Sequence, residues 1–295
     1  MNTKRQSVFT LISILCLLTG GIGRAHEVVA VLSSDSQYYL EAFHGFQDAW
    51  GHPVTSFNMR TETPAITEKT QLVVAFGGKA SSQRYPAKTL VVSCMTLVAG
   101  LKRNEGGNRY FYISMAPHPG LIFSKIKMLQ PSLKRLAVFW TSNSLEDYIG
   151  QMRKAAFHSN VELALIKLDD PDALPEQLRN IHGEIDAIFL PPDPILVNVA
   201  NFATIRDFSA ARHIPFYAPT EGLAEKGATV SIASDFYEMG RSAALTAREL
   251  LKDARRIETV IYPDKVRIAV NLTAAGNSTL QVTPELLQKA DKVFP

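Results

Sequence analysis

The sequence predicts an α/β protein of two open lobes with parallel sheets and a cleft between them. Three observations carry this. Short β-branched runs are nearly continuous in apolar residues, as parallel strands covered on both faces require. Segments with apolar residues at helical spacing alternate with these runs, which is the pattern of right-handed βαβ crossovers. The alternation restarts near Leu136. The chain of 295 residues, less an amino-terminal signal, suits two lobes better than one large core.

In the first array, Val28 to Leu32 reads as a buried strand with the polar end Ser33-Ser34-Asp35-Ser36. Tyr39, Phe43, Phe46 and Trp50 then mark one face of a helix that stops at Gly51 and Pro53. Leu72 to Phe76 is a strand followed by Gly77-Gly78-Lys79, and Thr89 to Val92 is one followed by Ser93-Cys94-Met95. Tyr110 to Ile113 is a shorter strand, with a helix from Pro119 to Leu129 behind it.

The second array opens with the strand Leu136 to Trp140. Asn143 is placed to cap the next helix, with Glu146 three residues on completing a capping box. Val161 to Ile166, Ala187 to Leu190 and Phe216-Tyr217 continue the strands, with helices near 173–181 and 196–211 between them. Val230 to Ala233 follows, then Asp235 as an N-cap and a helix whose stripe includes Met239, Gly240, Ala243 and Ala247. Val266 to Val270 is the last strand, and Pro284 starts a helix ending near Ala290. No repeat or long flexible linker is visible.

The amino terminus reads as an export signal. Lys4 and Arg5 precede an apolar stretch from Val8 to Leu18, and Gly23-Arg24-Ala25 places small residues where a signal peptidase reads them. Cleavage is expected after Ala25, with a periplasmic destination. The stretch is shorter than the roughly 20 residues of a permanent span. Lys4, Arg5 and Arg24 are the only charges in 1–25, so the net charge of +3 belongs to the signal and the remainder balances 28 basic against 28 acidic residues. No basic run of the kind that tracks phosphate backbones remains, which argues against nucleic acid as a partner. Cys16 leaves with the signal, and Cys94 reads as a small buried hydrophobe.

Ligands of open parallel sheets bind beyond the carboxyl ends of the strands. That rule selects Ser33, Ser34, Asp35, Gly77, Gly78, Lys79 and Ser93 in the first array. In the second it selects Thr141-Ser142-Asn143, Pro191-Pro192-Asp193 and Pro219-Thr220-Glu221, and Trp140 and Asp235 join them as candidates for their side-chain chemistry. Gly77-Gly78 lets backbone N–H groups approach an anion, or simply forms a turn. It is not a Walker A loop, because Ala80 follows Lys79 where Ser or Thr is needed. Asp193, flanked by Pro192 and Pro194, either holds a ligand ammonium or hydroxyl or makes a turn. Asp235 has the N-cap as its competing role. Trp140 is the best placed of the aromatics that include Tyr38, Tyr39 and Tyr217 for stacking on a flat ligand.

The seven histidines are dispersed, and neither a Gly-x-Ser-x-Gly elbow nor a His-Glu-x-x-His motif occurs. His26, at the new amino terminus after cleavage, has no evident histidine partner for a metal. The expectation is a binding protein with no catalytic residues, no metal and no cofactor.

Several segments in fixed order resemble the bacterial ABC-transporter substrate-binding proteins, whose relatives include binders of aromatic amino acids. These are residues 186–193 (DAIFLPPD), 213–218 (HIPFYA), 230–241 (VSIASDFYEMGR), 268–272 (IAVNL) and 284–287 (PELL). The resemblance implies a type I periplasmic-binding fold, with two Rossmann-like lobes joined by three crossings. It places lobe 1 at 26–114 plus 234–262 and lobe 2 at 115–233 plus 263–295. It also matches Asp193 and Asp235 to acids of the family's motifs.

The first half departs from that pattern. Gly78-Lys79 stands where the family has a Gly-Thr or similar pair, and Cys94-Met95-Thr96-Leu97 stands where it often has an Asp-Pro. Lys79 therefore favours a more anionic ligand. The implied role is a monomeric periplasmic receptor that captures a small polar or anionic solute, an amino acid or a related compound, by hinge closure and presents it to an ABC permease and its ATPase. The alternative on the same fold is a ligand sensor feeding a membrane-bound kinase or cyclase. An exported enzyme would need a nucleophile–base pair or metal set that the sequence does not show.

Overall fold

The computed structural model describes residues 27–96 and 107–295. The signal, its cleavage site after Ala25, Cys16, His26 and Leu97 lie outside the described residues.

The first sheet begins with β1 (Glu27–Leu32), α1 (Gln37–Trp50), β2 (Thr55–Asn58) and β3 (Thr70–Phe76). It continues through α2 (Gly78–Ser81), β4 (Leu90–Thr96) and β5 (Arg109–Ser114). The chain then enters the second sheet with α3 (Pro119–Leu129), β6 (Arg135–Trp140), α4 (Glu146–His158) and β7 (Glu162–Lys167). There follow α5 (Leu174–Arg179), β8 (Ala187–Phe189), α6 (Val199–Arg212), β9 (Phe216–Ala218), α7 (Glu221–Glu225) and β10 (Val230–Ser234). It returns to the first sheet with α8 (Phe236–Asp253) and β11 (Val260–Ile261). It ends in the second with β12 (Val266–Asn271), α9 (Leu272–Gly276), α10 (Pro284–Leu287) and β13 (Lys292–Phe294).

The two sheets have the orders β11-β5-β4-β3-β1-β2 and β13-β12-β10-β9-β8-β6-β7. Every pair in the first is parallel. In the second, β10 and β12 are antiparallel, with Ala233 opposite Arg267, which departs from the all-parallel expectation. The reason lies in the connection: the chain reaches β12 from the first lobe, at the edge where β10 ends, so it must run back along β10.

Strand residues alternate between two cores, which is why the runs read as continuously apolar. In β1, Val28, Ala30 and Leu32 pack under α1 and α8, while Val29 and Val31 pack on the other face with Val73 and Tyr85. In β6, Leu136, Val138 and Trp140 join the core under α3 and α4, and Ala137 and Phe139 join that under α5 and α6.

Two glycines set the α1–α8 contact. A Cβ on Gly240 would sit 1.7 Å from Ala42 O, and one on Gly45 would sit 2.0 Å from Tyr237 O. The two backbones touch, and Gly51 closes α1 with φ 77°.

The chain passes between the sheets at 115–118, at Asp235 and at 262–265. The crossings leave from the carboxyl ends of β5, β10 and β11. The carboxyl ends of both sets of parallel strands therefore border the same interlobe space. Tyr148 Oη donates to Pro117 O at 2.9 Å, His118 and Tyr262 meet edge to face, and Tyr262 Oη donates to Gln151 Oε1 at 3.1 Å. The first and third crossings are thus pinned to α4 of the second lobe.

Candidate functional site

On the first lobe, the ends of β1 and β3 form one unit. Ser33 N–H donates to Phe76 O, and Ser33 Oγ accepts from Ala80 N–H at 2.9 Å. Gly77 has φ +91°, and a Cβ there would lie 2.5 Å from the Tyr39 ring, so this turn requires glycine. Gly78 is exposed, with open space where a Cβ would be. Ser34 Oγ accepts from Ser36 N–H. Asp35 pairs with Arg60 at 2.7 Å, and that hydrogen bond holds its carboxyl below the ordinary range. Lys79 Nζ donates to Met59 O at 3.0 Å, so its charge is engaged with the loop after β2.

Three expected positions change role. Ser93 is fully buried, with Oγ bonded to Ser81 Oγ and Thr96 Oγ1, because β4 runs on to Thr96 and leaves Ser93 inside the strand. Asp193 is 0 % exposed and its carboxylate accepts four backbone N–H bonds. Those from Thr141 and Ser142 reach one oxygen at 2.6 and 2.8 Å, and those from Ile195 and Leu196 reach the other at 2.9 and 3.2 Å. The acid expected to hold a ligand group instead staples two loops. Asn143 does not cap α4, because a 3-10 turn at Asn143–Leu145 delays the helix to Glu146. Lys167 draws both members of the expected capping box, binding Asn143 Oδ1 at 2.8 Å and Glu146 at 2.6 Å. The Lys167 bond, then that from Trp140, holds the Glu146 carboxyl below its ordinary range.

Asp235 is half-buried and caps α8, accepting from Glu238 N–H at 3.0 Å. Thr220 is exposed and precedes α7 without capping it through its side chain. Trp140 and Tyr217 are core residues, and Tyr217 Oη donates to Gln130 Oε1 at 3.0 Å. Tyr38 is exposed and packs on Phe236. Burial pushes the Cys94 thiol pKa up, which keeps it protonated and inert.

Around the interlobe space, strand-end reasoning reached Thr141 and Glu221 but missed Glu41, Arg267 and the groups beside the crossings. A cavity of about 500 Å³ lies where the end of β5 and the first and third crossings meet the start of α4. Ser114, Glu146, Tyr148, Gln151, Lys154 and Tyr262 are among its walls. The hydroxyls of Thr141 and Ser234 are buried with no hydrogen-bond partner among the described residues. Both stand at carboxyl ends of second-lobe strands, and such orphans mark places for water or solute. Glu41 of α1 lies beside Asp235, Arg267 and Glu221; burial first, then the Asp235 charge, raises its pKa, and Arg267 opposes this. A second cavity, of about 430 Å³, lies at the opposite pole of the second lobe, near Phe216, Thr229 and Asn271.

The sequence profile of the ABC transporter substrate binding protein family matches residues 122–294. The chain belongs to this family. It is 22% identical over 200 residues to the tyrosine-binding protein of Clostridioides difficile, covering 63% of this chain. The match spans 56% of that relative's length. The fold is shared with a ligand-free, open substrate binding protein with adhesive properties from Clostridium difficile. That likeness has a TM-score of 0.63 and 14% identity, over 90% of this chain and 98% of the other. An ABC domain in complex with L-Trp from Streptococcus pneumonia gives a TM-score of 0.56 and 15% identity, over 90% and 99%. Both likenesses concern the fold alone. Together they agree with a two-lobed α/β architecture of the type I periplasmic-binding kind.

Proposed function

We propose that this protein captures a small polar solute between its lobes by hinge closure, outside the cytoplasm, for an ABC permease and its ATPase. Family membership supports the general role. The observation that carries the site is the pair of carboxyl-end strand edges bordering one interlobe space, with the unpartnered Thr141 and Ser234 hydroxyls on it. The cavity beside α4 is walled by the first and third crossings and does not include Thr141 or Ser234. The tyrosine and L-Trp named for its relatives point toward an aromatic amino acid.

A thermal-shift screen of amino acids, organic acids, nucleosides and sugars tests this reading. A solute at about 100 times its dissociation constant adds roughly 2.7 kcal/mol to stability, and L-tyrosine or L-tryptophan is the expected hit. Thr141→Val or Ser234→Ala should then weaken that solute about tenfold, roughly 1.4 kcal/mol, with little change in the melting temperature of the empty protein. Full affinity in both variants contradicts the site.

A further inference from the structure

We propose that Arg267 is an electrostatic latch between the lobes, drawing the cleft toward closure before any solute arrives. Arg267 is the second residue of β12 and sits at the cleft edge because β12 runs antiparallel to β10. Its Nη1 lies 4.0 Å from Glu41 Oε1 on α1, and its Nη2 lies 3.7 Å from Glu221 Oε2 at the start of α7. Glu41 belongs to the first lobe, since the neighbouring Ala42, Phe43 and Phe46 pack into the first-sheet core. Glu221 belongs to the second, where Lys292 Nζ fixes its other oxygen at 2.7 Å. Among the described residues, Arg267–Glu41 is the one ion pair that joins α1 to the second sheet.

The geometry suits a latch rather than a rivet. Both contacts are longer than hydrogen bonds, so the attraction is Coulombic and tolerates sliding of one lobe over the other. On Glu41 the attraction of Arg267 outweighs the repulsion of Glu221, the like charge that faces it from the second lobe. The side chains of Arg267 and Glu41 are 40% and 33% exposed, so the latch is weak enough to bias an equilibrium without freezing it. It acts on the empty protein and does not depend on which solute binds.

Nitroxide labels at Glu62→Cys and Asp169→Cys, both exposed and following β2 and β7 at the carboxyl-end edges, report the lobe separation by electron–electron resonance. A Cys16→Ser background leaves the buried Cys94 as the one other thiol. Removing the latch by Arg267→Met should move the distribution to longer distances, raising the open-to-closed ratio two- to fivefold. Glu41→Gln, nearly isosteric, should do the same and covers the case in which Arg267→Met fails to fold. Arg267→Lys should retain most of the wild-type distribution. Salt at 1 M should open the wild type and leave Glu41→Gln unchanged. An unchanged or shorter distribution in Glu41→Gln overturns the latch, whatever the outcome of solute screening.

Discussion

At Asp193 four backbone amides converge on one buried carboxylate, tying the loop after β6 to the loop after β8. Hydrogen bonds to a charged group are the stronger kind, and each amide left behind would be buried without a partner. Asp193→Asn should therefore cost about 3 kcal/mol in denaturant unfolding. A loss below about 1 kcal/mol would mean that the loops hold themselves. Cys94 gives a second residue-scale expectation. Its burial raises the thiol pKa, so thiolate forms only well above neutral pH. Peptide mapping after maleimide treatment at pH 7.5 should find Cys94 unmodified in the native protein and modified in urea. Modification at equal rates would show that β4 opens freely. Asp193 also marks where the sequence stops being informative. A carboxylate that staples loops and one that holds a solute are the same residue type at the same strand end. Only the direction of the surrounding N–H groups separates them.

Among the elements, the α1–α8 pair is the most exacting. Gly240→Ala would drive a methyl into Ala42 O, and the helices must separate or the backbone bend. A loss of about 2–3 kcal/mol is expected by thermal or urea unfolding. Gly150→Ala in α4 meets nothing within 4 Å and should stabilise by about 0.5–1 kcal/mol through helix propensity alone. Equal effects of the two substitutions would contradict the close approach. Elements with long apolar runs or full helical stripes were legible in sequence: β1, β3, β6, α1, α3 and α8 stand where pattern places them. The strands β2, β11 and β13 escaped because they span only two to four residues at or near sheet edges. The reversed direction of β12 escaped because strand direction depends on where the chain enters the sheet, which local composition does not encode. That omission hid Arg267, which reaches the cleft from the beginning of a strand rather than its end.

For the whole molecule, three crossings at one edge give two bodies that can change their angle while each keeps its own core. The pins from Tyr148, His118 and Tyr262 hold two crossings to the second lobe, which leaves bending to the short segments on the first-lobe side. The two-lobe plan was visible in the restart of the strand–helix alternation, while the cavity beside α4 was not, because its walls come from crossings distant in sequence. Capture between the lobes makes one demand above all: binding must shorten the distance between them. The most direct measurement is that distance, read between Glu62→Cys and Asp169→Cys labels as each stabilising solute is added. The account predicts that a solute which raises the melting temperature also shifts the distribution to shorter distances, saturating at the same concentration. Binding that leaves the separation unchanged, or no stabilising solute among the amino acids, organic acids, nucleosides and sugars, would contradict it.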